Sequence, residues 1–186
     1  MTAAASSPPS ALHSRLVRAG IVLACVMLLA LASWASVPMY PVPMTLQTLA
    51  LFVVAALAGP RMTLEVVLVW LLAAAIGLPL LAGFRGGIEA FTGPSAGFLL
   101  AFLVVAPVVA WAAPRTRGGD LFALFLAAHA AVLAIGWAWL ATRAGPARAF
   151  VMGVQPFFIG AIVKSTAATI LVMLAKARLA KTMKPQ

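Results

Sequence analysis

Apolar residues fall into six runs, near 17–36, 45–58, 62–80, 94–113, 121–140 and 156–175, and the segments between them hold most of the charge, proline and glycine. A helix needs about 20 residues to cross a bilayer. Five of the runs come close to that length, whereas 45–58 would reach only about 21 Å of a hydrocarbon core of about 30 Å. That segment must start within the preceding proline stretch, VPMYPVPM, or shelter among its neighbours. The pattern predicts an all-α, polytopic bundle of six transmembrane helices, one domain over 15–186, behind a flexible leader at 1–14. Disorder is the expectation for Met1–Ser10. Arg15 and Arg18 ahead of an apolar stretch resemble a signal peptide, but the stretch from Ala19 to Val37 exceeds a signal core and is read as the first span.

Composition agrees with this. Hydrophobic residues make up 65% of the 186 and charged residues only 9%, and the mean hydropathy is +1.12. Such a chain cannot cover itself with a polar surface. The net charge of +10 does not indicate nucleic acid, because the bases sit in small groups between the apolar runs. With the N-terminus in the cytoplasm, the inner segments hold Arg15, Arg18, Arg61, Arg115, Arg117, Lys176, Arg178, Lys181 and Lys184, and the outer ones Arg85, Arg143 and Arg148. The bias places both termini on the cytoplasmic side of a cell membrane. Cys25, the single cysteine, lies in the first run and is read as packing.

The outer segments are then Val37–Met44, Leu81–Gly93 and Thr142–Gln155. Non-helical backbone at membrane depth is tolerated where protein or a water-filled cavity satisfies it, so three such segments on one face suggest the rim of a cavity. The chain has no GxxxxGK[ST], HExxH or GxSxG motif. With three carboxylates, Glu65, Glu89 and Asp120, a paired acid and base is hard to build, and no catalytic residue, metal or cofactor is assigned. His129 is read as a helix-packing residue.

The strongest single residue is Lys164. In a last helix starting at Pro156 it lies about 12 Å below the outer end, where a lysine costs about 2.5–3.5 kcal/mol to insert. Phe157, Gly160 and Ala161 share its helix face, so small residues flank the ammonium and an aromatic wall stands nearer the mouth. An anionic ligand is the natural counter-ion, against the alternative of an internal partner that stabilises the bundle. The run GFRGGIEAFTGPSAGF, Gly83 to Phe98, brings Phe84, Arg85, Glu89, Gly93 and Phe98 into a glycine-rich loop that lets backbone approach a ligand. Gly20-x-x-x-Ala24 and Ala32-x-x-x-Ser36 let helices meet closely.

VPMTLQTLAL, AGPR at 58–61, AAAIGLPLLAG at 73–83, Gly86-Gly87, GPSAGFLLAF at 93–102 and PFFIGAIVK at 156–164 follow one another in an order that resembles the BioY family. These are the biotin-specific substrate-binding (S) components of energy-coupling factor transporters. The resemblance covers about Val42 to Lys164. It implies a six-helix bundle with an outward vitamin pocket, capped by the loop between the first two helices, with Thr45 and Gln47 beside it. It also implies biotin as ligand, a transmembrane coupling subunit and two ATPase subunits as partners, and a docking surface on the first span. Two segments depart from the family pattern. Its last helix usually reads Gly-Asp-x-x-Lys, where this chain has Gly160-Ala161-Ile162-Val163-Lys164, and its Gly-Pro-Thr-Gly-Gly-Tyr is here Gly93-Pro94-Ser95-Ala96-Gly97-Phe98. Gln155, Glu89 and Gln47 are the candidates to replace the lost acid. The alternatives are a family member that carries another small anionic compound and a non-transporting membrane scaffold.

Overall fold

The computed structural model describes residues 11–182; the expectation for the leader Met1–Ser10 lies outside them. Seven α-helices occur among the described residues: α1 (Ala11–Trp34), α2 (Gln47–Ala58), α3 (Pro60–Ala75), α4 (Ala96–Ala112), α5 (Gly119–Ala144), α6 (Pro146–Gly153) and α7 (Phe157–Thr182). Four segments are long and apolar enough to cross a membrane, namely Leu12–Trp34, Ala96–Arg115, Gly119–Ala144 and Phe157–Thr182. The protein is a multi-pass membrane protein. Helices α2 and α3, at 12 and 16 residues, fall short of a full crossing by length alone.

Several boundaries differ from the hydrophobic pattern. Residues 11–14, expected in the leader, are the first turn of α1. The segment Thr142–Gln155, expected as a loop, is largely helical: α5 continues to Ala144, and α6 follows after one residue. The break between them is Gly145, at φ 77° and ψ 153°, followed by Pro146 at the first helical position. The same device joins α2 to α3, where Gly59 at φ 79° and ψ 166° precedes Pro60. That backbone region is open essentially to glycine alone, and proline is pre-set for a helix start. Each AGP triplet therefore ends one helix and begins another with no linker.

The prolines at 38, 41 and 43 shape a hairpin. Two short strands, β1 (Ser36–Val37) and β2 (Met44–Thr45), pair antiparallel with Ser36 opposite Thr45 and Val37 opposite Met44. Proline cannot donate to a ladder, and all three lie outside the paired residues. The amide of Leu46 returns to the end of α1, to Ala32 O at 3.1 Å and Ala35 O at 3.2 Å.

At the centre stands α4, with 61% of its apolar window buried inside the protein, against 33%, 33% and 39% for the other three candidate spans. It packs on α2, α3 and α5. The core is aromatic and aliphatic, with Trp70, Phe52, Phe125 and Leu29 fully enclosed. Phe52 and Phe125 stack at 5.8 Å between ring centroids. At the opposite end from the hairpin, Arg18 and Glu65 tie α1 to α3 through Nη2–Oε1 at 2.5 Å, the one ion pair among the described residues.

Candidate functional site

A cavity of about 240 Å³ lies among α2, α4, α5 and α7, bounded by the hairpin and by the loop between α3 and α4. This is just below the range of about 300–1,000 Å³ typical of drug-sized ligands, which suits a small metabolite. Phe98, Leu99, Phe102, Val132, Leu133 and Phe157 give it apolar walls. Phe98 and Phe157 stack at 6.4 Å. Gly136 makes room for the Phe98 ring, since a Cβ there would lie 2.2 Å from Phe98 Cδ1.

Lys164 projects from α7 into this cavity and is 8% exposed. Its Nζ donates to Thr45 O at 3.3 Å, a bond between α7 and the hairpin. No carboxylate pairs with it among the described residues. A single backbone carbonyl leaves most of the ammonium's three donors for something else.

Beside Lys164 runs a buried polar chain. His129 on α5 places Nε2 2.9 Å from Thr48 Oγ1 on α2, while Nδ1 lies 3.0 Å from Phe125 O and 3.0 Å from Ser165 Oγ on α7. The chain sets Thr48 level with Ser165, eight residues or about 12 Å into α7. This explains the shortness of α2: the hairpin dips into the bundle and the helix starts inside it. Gln47 is held as well. Its amide donates to Ser33 Oγ at 2.7 Å and its Oε1 accepts from Thr45 Oγ1 at 3.0 Å.

The α3–α4 loop is anchored on several sides. Trp70 Nε1 donates to Leu80 O at 3.2 Å and Trp34 Nε1 to Pro79 O at 2.8 Å. Its far end is pinned to α5, where Trp139 Nε1 donates to Gly93 O at 2.9 Å and Arg143 Nη2 to Thr92 O at 2.7 Å. Arg85 Nε donates to Ala82 O at 3.1 Å. Arg85 and Glu89 both line the cavity but form no ion pair with each other.

Of the residues singled out in the sequence, Lys164, Gln47, Thr45, Arg85, Glu89, Gly93, Phe98, Phe157 and Ala161 come together around this cavity. Phe84, Gln155 and Gly160 do not. Phe84 sits at φ 56° and turns outward, 63% exposed, to stack on Trp34 at 4.8 Å. Gln155 is exposed in the turn after α6, its amide bonded to Phe150 O at 3.0 Å. Gly160 faces the hairpin: a Cβ there would stand 3.1 Å from Met44 Sδ. Thr48 and His129 were not among the expected site residues, yet both line the cavity. Their signal was a mid-span histidine and a hydroxyl beside Gln47, but the partnership between them spans 81 positions.

These features define a helical membrane protein that encloses a small-molecule chamber under two loops. The family model described as the BioY family matches residues 6–181. The chain belongs to the BioY family. Among similar proteins, one from Pyrococcus horikoshii described as a probable biotin transporter BioY is 35% identical over 136 residues, covering 73% of this chain and 82% of the relative. The biotin transporter BioY of Rhizobium etli is 34% identical over 168 residues, covering 84% and 89%. A crystal structure described as the S-component for biotin from an ECF-type ABC transporter superposes with a TM-score of 0.77 at 22% identity, over 91% of this chain and 95% of that one. That likeness establishes the fold.

Proposed function

We propose that this chain is the substrate-capture subunit of a biotin importer, binding biotin in the cavity between the hairpin and α7. It works with a transmembrane coupling subunit and two ATPase subunits, and its bundle crosses the membrane with both termini cytoplasmic. Family membership and the transporters it resembles support the reading. The observation that carries it is Lys164, enclosed in a metabolite-sized cavity with one backbone carbonyl as partner. A lysine held this way invites an anionic or strongly accepting ligand group, and biotin supplies a carboxylate and a ureido oxygen.

The test is calorimetric titration of biotin into the purified protein in detergent, with Lys164→Met alongside. Losing a hydrogen bond to a charged group removes about 1.5–3 kcal/mol, so the variant should bind about 10- to 150-fold more weakly. A folded wild type that binds no biotin would sink the assignment and turn attention to another small anion or to a scaffold role. Equal binding by both proteins would remove Lys164 from the site while leaving biotin as the ligand.

A further inference from the structure

The polar chain behind the cavity fixes the direction of its hydrogen bonds. Phe125 O can only accept, so in the neutral ring the proton sits on Nδ1 of His129, shared between Phe125 O and Ser165 Oγ, each 3.0 Å away. Nε2 is then an acceptor, and Thr48 Oγ1, 2.9 Å away, must donate its one hydrogen to it. The Thr48 hydroxyl, with its hydrogen committed behind the wall, has only lone pairs to offer the cavity that it lines. Gln47 is tied on both sides, its amide to Ser33 Oγ and its Oε1 to Thr45 Oγ1, with one N–H and one lone pair left; Glu89, the carboxylate on the wall, is exposed in the α3–α4 loop, and Ala161 has no polar side-chain atom. Thr48 is thereby a buried acceptor whose polarity the histidine sets.

We propose that Thr48, oriented by His129, reads an N–H donor of the ligand and is a specificity-determining residue of the cavity. The inference rests on the biotin reading, in which the donor is a ureido N–H. An acceptor of fixed sense favours a ligand that presents N–H and rejects one whose nitrogen is alkylated or replaced by oxygen. Thr48 makes the contact; His129 is a positioning residue.

The experiment compares the affinities of biotin and of the two singly N-methylated biotins for wild type, Thr48→Ser, Thr48→Val, His129→Gln and His129→Leu, each checked for folding by thermal unfolding in detergent. Wild type and Thr48→Ser should prefer biotin over one of the methylated ligands by about 10- to 100-fold, the worth of one buried hydrogen bond. In Thr48→Val that preference should collapse, because biotin weakens while the methylated ligand does not. His129→Leu should reduce the preference as well, and His129→Gln, whose amide oxygen can accept from Thr48, should restore part of it. A merely structural role would weaken both ligands together and leave the ratio unchanged, and that result overturns the proposal. So does an unchanged ratio in Thr48→Val with biotin binding intact. If Thr48→Val does not fold, wild type and Thr48→Ser binding all three ligands alike would overturn it too. Wild type that binds neither biotin nor its methylated forms refutes the biotin reading instead, which separates the two failures.

Discussion

At the residue scale, the site is built from small clearances as much as from polar groups. Gly160 and Ala161 both border the Lys164 side chain: Ala161 lines the cavity, and a Cβ on Gly160 would stand 3.9 Å from Lys164 Cε. Gly160 also lets β2 lie against α7, with Met44 Sδ in the space a side chain would fill. A Cβ at 3.1 Å from the tip of a flexible methionine needs a displacement of a few tenths of an ångström. In a helix, alanine for glycine gains about 0.5–1 kcal/mol, which exceeds that disturbance. Gly160→Ala should therefore unfold at a slightly higher temperature and keep its affinity for biotin. Gly160→Val places two more carbons against Met44 and must push the hairpin outward, breaking the bond from Lys164 to the neighbouring Thr45. Its affinity should fall at least about tenfold, mostly through faster dissociation, as stopped-flow or biosensor kinetics would read. Equal dissociation rates in the two variants would show that Met44 yields without moving its strand. Helix spacing placed Phe157, Ala161 and Lys164 on one face because an α-helix has a fixed period. Phe84 and Gln155 were beyond such reasoning, since each is turned away by local backbone that only the folded loop displays.

The elements show why some boundaries were legible and others not. Five of the seven helices coincide with long apolar runs, because lipid demands backbone bonds satisfied within the segment. Helix α6 is amphipathic but only eight residues long, and the prolines that flank it, Pro146 and Pro156, make the segment read as loop. The two AGP triplets were the available clue. The first lies within the AGPR of the family pattern, and the second does the same work at Gly145. Nothing lies within 4 Å of a Cβ built on Gly145, yet its φ of 77° with ψ of 153° strains any other residue. Gly145→Ala should cost about 1–3 kcal/mol by backbone strain alone. The expected result is a lower thermal midpoint in detergent with biotin affinity held within about threefold, because α6 contributes no residue to the cavity wall. An unaltered midpoint would mean that the α5–α6 junction relaxes into another conformation without loss.

The whole molecule sorts its charges by end, and this supports a test of topology. The cavity, the hairpin and the α3–α4 loop gather at one end with Arg85, Arg143 and Arg148, while Arg18, Arg61, Arg115, Arg117 and Lys176 lie toward the other, where Arg18 meets Glu65 and Lys176 Nζ caps Ala113 O at 3.1 Å. A bias of lysine and arginine toward one side fixes orientation during insertion, so the cavity should open away from the cytoplasm. Cys25 is the only native cysteine, and Cys25→Ser provides a background for site-directed labelling. Single cysteines introduced at Ala147, on the exposed face of α6, and at Arg117, between α4 and α5, sample the two ends. In intact cells, a membrane-impermeant maleimide should label the Ala147→Cys protein and leave Arg117→Cys untouched until the membrane is opened. The reverse pattern would invert the bundle and leave the cavity facing the cytoplasm, incompatible with capture from outside. Labelling at both sites in intact cells would mean that an even number of crossings separates them, so that α5, the one long helix between them, does not make a single crossing of the bilayer. Adding biotin sharpens the first result: a ligand that seats the hairpin against Lys164 should slow labelling of a third cysteine, at Tyr40, which is 85% exposed at the tip of the hairpin, while leaving the rate at position 147 unchanged.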